Sequence, residues 1–296
     1  EALKKFNFKF FIRGIAMMVA AYLVTSQINH HSAFHVHHLP VLPFKNFYVF
    51  AILIVVNVLL GCGFAKGLTL AKDLLEKHKE KAWSKYYGFA VFAVVLVLNF
   101  VCLEWMGSGL HLIEGIIEDG SHFAGIGLVV GLIAFRMIIT IFAGTDRVTG
   151  GIVIPMLTLG ALGGQLVCIV CNKWFGMSAD LNTAVILISM VLMFTVVNKT
   201  PITSSVLFLS AVMYAIQHHF DHVTVGEFFT HFVDYLPMLA MTTVAVVVAT
   251  ALSKLLVKDG LYHMLLHVDI HRGNVSAHHE EPADVATEPV VAEAQA

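Results

Sequence analysis

Charge is scarce in this sequence. Lys, Arg, Asp and Glu supply 13% of the 296 residues, against about 25% in soluble domains. The net charge of −2 says little about nucleic acid, no basic stripe suggests it, and no nucleic-acid partner is expected. Cysteine is scarce too, and Cys62, Cys102, Cys168 and Cys171 all fall inside apolar segments. Cys168 and Cys171 form a C-x-x-C on one face of an apparent helix. With no second pair, they read better as small buried hydrophobes than as a metal or redox motif. No nucleophile–base pair, phosphate loop or cofactor motif stands out, so neither an enzyme nor a cofactor is expected. The chain opens Glu1-Ala2-Leu3-Lys4-Lys5, with no initiator Met and no signal-peptide pattern, and reads as the continuation of something longer.

What fills the chain is apolar: 58% hydrophobic residues and a mean hydropathy of +0.81. Several runs approach or exceed the roughly 20 residues that cross a bilayer, which makes this an integral membrane protein whatever its motifs. Lys4, Lys5, Lys9 and Arg13 lead into an apolar stretch of about residues 10–28. A segment carrying His30, His31, His35, His37 and His38 follows. Imidazoles bind zinc, copper or nickel, but without Cys or carboxylate beside them these histidines read as a solvated loop. Residues 44–76 form one apolar run too long to cross upright, ending in Lys72, Lys77, Lys79, Lys81 and Lys85. By the positive-inside rule this cluster and the N-terminal one are cytoplasmic, and the histidine loop is external.

Residues 87–106 return outward, 107–122 form an outer or re-entrant loop, and 123–143 come back. Arg136 falls late enough in that last helix to snorkel to the inner face. Further helices are predicted over about 152–175, 181–197, 201–216 and 234–257. The runs 181–197 and 201–216, parted by Asn198-Lys199-Thr200-Pro201, are short for full spans and suggest broken helices. Residues 1–275 thus read as a transmembrane domain, and 276–296, acidic and rich in Ala, Pro and Glu, as a disordered tail.

The stretch from Gly144 to Gly164, GTDRVTGGIVIPMLTLGALGG, organises the rest. Gly150 and Gly151 allow close approach of backbone to a ligand, and Pro155 lies in the first turn of the helix that follows, where a missing N–H costs nothing. The free N–H groups and positive dipole end of such a helix make an anion site. The competing reading is that glycines in membrane helices serve tight packing.

These residues resemble the CLC family of chloride channels and chloride/proton exchangers. Gly150-Gly151-Ile152-Val153-Ile154-Pro155 stands where that family has GGxFxP, and Thr200-Pro201-Ile202-Thr203 is similar to its (A/T)-P-(L/I)-T helix start. Gly260-Leu261-Tyr262 is similar to its closing segment, and the resemblance covers about residues 1–272. It implies an all-α, polytopic membrane protein of inverted-repeat architecture with tilted and broken helices, here lacking the first ones. It also implies a central chloride held by the backbone of Gly151, Ile152 and Val153, through the N–H groups of the last two, and by the Tyr262 phenol. Glu1, by its spacing from Phe6, matches the internal glutamate that relays protons in exchangers. The implied partners are chloride, protons, the lipid bilayer and a second copy of the chain, paired through faces within residues 10–76 and 201–253. The implied location is a bacterial inner membrane.

The departures are specific. Val153 replaces the family's Phe, Thr149 precedes the glycines where Pro is usual, and Arg147 replaces a glycine, a change that would strengthen anion attraction. Gly107-Ser108-Gly109-Leu110 resembles the family's GSGIP, whose Ser binds chloride, but its place some 40 residues before Gly151 assigns Ser108 to a different glycine-rich loop. The GSGIP and gating-glutamate segments are expected upstream of Glu1. The implied function is chloride transport, by proton exchange, with a passive channel or a non-conducting structural subunit as alternatives.

Overall fold

A computed structural model describes residues 39–78, 80–101, 109–118, 120–145, 151–219 and 225–271. Among these residues every regular element is a helix, as runs of apolar residues in lipid must be, because only a helix satisfies its own backbone there. The helices are α1 (Tyr48–Lys77), α2 (Ala82–Val101), α3 (Leu110–Glu118), α4 (Ile126–Ala143), α5 (Val153–Phe175), α6 (Asn182–Asn198), α7 (Pro201–His219), α8 (Val225–Leu256) and α9 (Leu261–His271). Among the described residues, five segments are long and apolar enough to cross a membrane: Phe44–Lys77, Ile126–Ala143, Val153–Phe175, Ala179–Asn198 and His231–Asp269. At 1.5 Å per residue α1 is about 45 Å long, well beyond the ~30 Å hydrocarbon core, so it tilts or projects.

The segment expected to be a loop at 107–122 is instead mostly helical. Leu112, Ile113 and Ile116 are buried on one side of α3, and that apolar face is what a short helix needs to pack. Helix α8 begins earlier than expected and carries Pro237 within it. The break between α6 and α7 falls where it was predicted: Lys199 takes the left-handed conformation at φ 60°, and Pro201 opens α7. Cys168 and Cys171 are free and fully buried, packing as hydrophobes do. The N-terminal residues with their histidines, and the tail from 272 onward, lie outside the described residues.

Helices α5 and α6 form the centre of the bundle, with α1 laid across both. They meet through glycine. A Cβ on Gly160 would stand 2.7 Å from the Met190 Cα, and one on Gly164 would stand 2.8 Å from the Ile186 Cα. In lipid no hydrophobic force draws helices together, so close backbone approach through small residues takes its place. Asn57 of α1 ties that helix to the pair by donating to Ser189 Oγ at 2.9 Å, and donates also to Leu53 O of its own helix at 2.9 Å.

The bundle has two distinct ends. At one, the Tyr48 and Phe175 rings meet at 5.0 Å. There too, Gln165 Nε2 donates to Gly120 O at 3.1 Å and Phe123 O at 3.2 Å. At the other end Leu68 packs on Gly144, the α8 residue Ser253 meets Cys62 and Lys199, and Lys72 reaches α9.

Adding a methyl at Gly160 or Gly164 is expected to cost about 1–3 kcal/mol as overpacking, read as a lower Tm in detergent. Gly127→Ala, where nothing lies within 4 Å of the added carbon, serves as the contrast and is expected to cost nothing. Equal Tm changes in all three would show that the α5–α6 contact is not set by these glycines.

Candidate functional site

Helix α5 begins at Val153, with Ile152 as its N-cap at φ −89°, ψ −20° and no side-chain capping bond. The first turn closes with the Met156 N–H donating to Ile152 O at 3.1 Å. Ile152 lacks the hydroxyl or carboxylate that usually caps a helix, so the positive end of α5 is left to whatever stands in front of it. Val153 is 39% exposed, and among the described residues no atom beyond its chain neighbours lies within 4 Å of a carbon built on Gly151. Gly160 and Gly164 follow the packing reading, whereas no described residue crowds Gly151.

That space includes a cavity of about 90 Å³ lined by Arg136, Thr140, Gly144, Gly151, Ile152 and Pro155, among others. Arg136 does not snorkel to a membrane face: it is 2% exposed. The stripe Arg136, Thr140, Gly144 recurs at every fourth residue, which turns one side of α4 toward the cavity. Beyond it, Gly109 holds φ at +96°, and a carbon added there would fall onto Arg136 Nη2 and Thr158 Oγ1. Thr158 donates to Ile154 O at 2.9 Å, keeping its own helix intact. A guanidinium and a helix N-terminus on one cavity give it a positive potential, in surroundings where screening by water is weak.

Tyr262 lies in the first turn of α9 and is 40% exposed. Its helix starts beside the end of α6: a carbon on Gly260 would stand 2.6 Å from Asn198 O. On its other side Asn198 donates from Nδ2 to Met156 Sδ at 3.7 Å. The C-terminus of α6 thus sits between the starts of α5 and α9, bringing together the helices that carry Ile152, Val153 and Tyr262. Glu1, Arg147, Thr149, Gly150 and Ser108 lie outside the described residues. No cluster of metal-ligating side chains occurs among the described residues.

Arg136 is the residue that sequence reasoning misplaced. The signal was available: an arginine inside an apolar run, four residues before Thr140 and eight before Gly144, marks a polar stripe rather than a helix end.

The fold and this cavity define a polytopic helical membrane protein with a cationic pocket at an uncapped helix start. The chain matches the family described as voltage gated chloride channel over residues 1–220 and belongs to it. Membership places the chain among proteins that transport chloride across membranes. No curated protein matches it.

Gly151→Ala is expected to change stability by no more than about 0.5 kcal/mol, as at an unencumbered surface position. Gly109→Ala is expected to cost at least ~1–3 kcal/mol through its positive φ and the crowding of Arg136. Thermal unfolding of the two variants checks both, and similar melting would contradict the placement of Arg136.

Proposed function

We propose that the chain moves chloride in exchange for protons, with the ion passing the start of α5. The observation that carries this reading is the cavity there, bounded by Gly151 and Ile152 on one side and by buried Arg136 on the other. On this reading the N–H groups of Ile152 and Val153 hold the anion, and the Tyr262 hydroxyl donates from the cytoplasmic side. Amides and one neutral hydroxyl bind an ion weakly enough to let it go. Arg136 adds charge behind the site, in the role that sequence reasoning gave to Arg147 in front of it. Glu1 relays protons.

The lysine cluster beginning at Lys72 sits at the same end of the bundle as the α5 and α9 starts. The positive-inside rule makes that end cytoplasmic, which agrees with the side assigned to Tyr262. The protein works as a homodimer with one pore per subunit, in a bacterial inner membrane.

The test uses liposomes with an imposed chloride gradient and a record of external pH. Chloride flux that drives protons uphill supports exchange, whereas chloride movement at constant pH makes the protein a channel. If neither ion moves, the protein is a structural subunit. Arg136→Gln is expected to weaken halide binding by about 10- to 100-fold, from loss of a charge-assisted interaction worth about 1.5–3 kcal/mol. Unchanged halide affinity in that variant would move the ion away from this cavity.

A further inference from the structure

Helix α9 is held at two points, and the second has no counterpart in the anion site itself. The first is Gly260 against Asn198 O. The second is Lys72 of α1, whose Nζ donates to Asp269 Oδ2 at 2.7 Å and to Leu265 O at 3.3 Å. The Lys72 side chain is 4% exposed and that of Asp269 21%. A pair this deep is poor evidence for stability, because desolvating both charges offsets most of their attraction. What a buried pair does well is fix register, since any slide or rotation strands a charge. Leu265 and Asp269 are one turn apart, and Tyr262 stands three residues before Leu265 and seven before Asp269. All three therefore lie along one stripe of α9. Lys72 grips the stripe on which Tyr262 begins.

We propose that Lys72 and Asp269 form a positioning clasp that sets where the Tyr262 hydroxyl stands relative to the start of α5. The proposal rests on the anion reading above. Lys72 and Asp269 are positioning residues and touch no ion. With the clasp closed, α9 has one axial position and one rotation, and the hydroxyl points where the α5 amides need a second donor. With it open, the helix keeps Gly260 against Asn198 and the apolar contacts of Leu261, Met264 and Leu265. Apolar contacts tolerate small rotations that a hydrogen-bonded charge pair does not.

The experiment is a chloride titration of the intact, reconstituted protein in four forms: wild type, Asp269→Asn, Tyr262→Phe, and the two combined. Asp269→Asn is expected to weaken chloride binding about tenfold, within the range seen for residues that act through others. In the Tyr262→Phe background the same change is expected to do nothing further, because the hydroxyl it would misplace is gone. A purely structural pair would lower Tm in both backgrounds without this dependence on Tyr262. Should Asp269→Asn fail to fold, Asp269→Glu keeps the charge and shifts the helix by one methylene. Its expected loss is about threefold with Tyr262 present and none without it. Unchanged affinity in a folded Asp269 variant, or an equal loss in both backgrounds, overturns the clasp while leaving the anion site standing. A wild type that binds no chloride overturns the anion reading itself, and the clasp with it.

Discussion

The close approach of α5 to α6 is the contact on which the rest depends. Gly160 and Gly164 let the two backbones touch, with built carbons under 3 Å from Met190 and Ile186 Cα atoms. The consequence is positional. Because α6 is pressed along α5, its last residue, Asn198, arrives beside Met156, one turn into α5. Gly260 then seats α9 on the carbonyl of the same Asn198. The relation between the two helix starts is thus fixed by packing two and three turns away, where Ser189 is the polar residue at the contact. A site made of backbone N–H groups needs this, since its donors cannot adjust by changing rotamer and are placed only by where their helix lies.

The polar residues obey the demands of a low-dielectric interior in two ways. Hydroxyls fold back on their own helices: Thr69, Thr158, Thr195, Ser204, Thr242 and Thr250 each donate to the carbonyl four residues earlier. Such bonds satisfy a buried hydroxyl without any partner helix. Charges cannot do this, and the two buried cations found at this end of the bundle stand in contrasting settings. Lys72 ends on a carboxylate and a carbonyl. Arg136 borders a cavity at the positive end of α5. On the readings proposed above, the first is a joint that holds still and the second borders the path of an anion.

Much of this was legible in the sequence. The lengths of α5, α6 and α7 follow from apolar runs cut by glycine and by Lys199-Thr200-Pro201, since a residue before proline leaves the helical region and Pro201 is tolerated only at a helix start. Family membership was legible from three short motifs in the correct order. What could not be read was depth. Hydropathy gives the same signal for an arginine that reaches a membrane face and for one enclosed by Gly109 and Thr158, because the difference lies in contacts between residues 27 and 22 positions away. For the same reason α3 was taken for a loop. Its nine residues, His111 and Glu114 among them, are too few and too mixed to announce a helix. Only the surface of α5 and α6 beneath Leu112, Ile113 and Ile116 makes one of them.

The division of the glycines has a mechanistic consequence. A helix start that is to hold an ion weakly must be rigid in position but open in front. Placing the packing glycines at 160 and 164 and the open one at 151 separates these requirements along a single helix. The cavity in front, about 90 Å³, exceeds the ~30 Å³ share of one water molecule in the liquid. On the proposed reading, an anion there keeps some of its hydration rather than exchanging all of it for protein donors. That lowers the cost of arrival and of departure together, which is what transport requires and what a tight binding site would prevent. On the same reading Arg136, which lines the cavity, supplies from behind the field that a loosely held ion would otherwise lack.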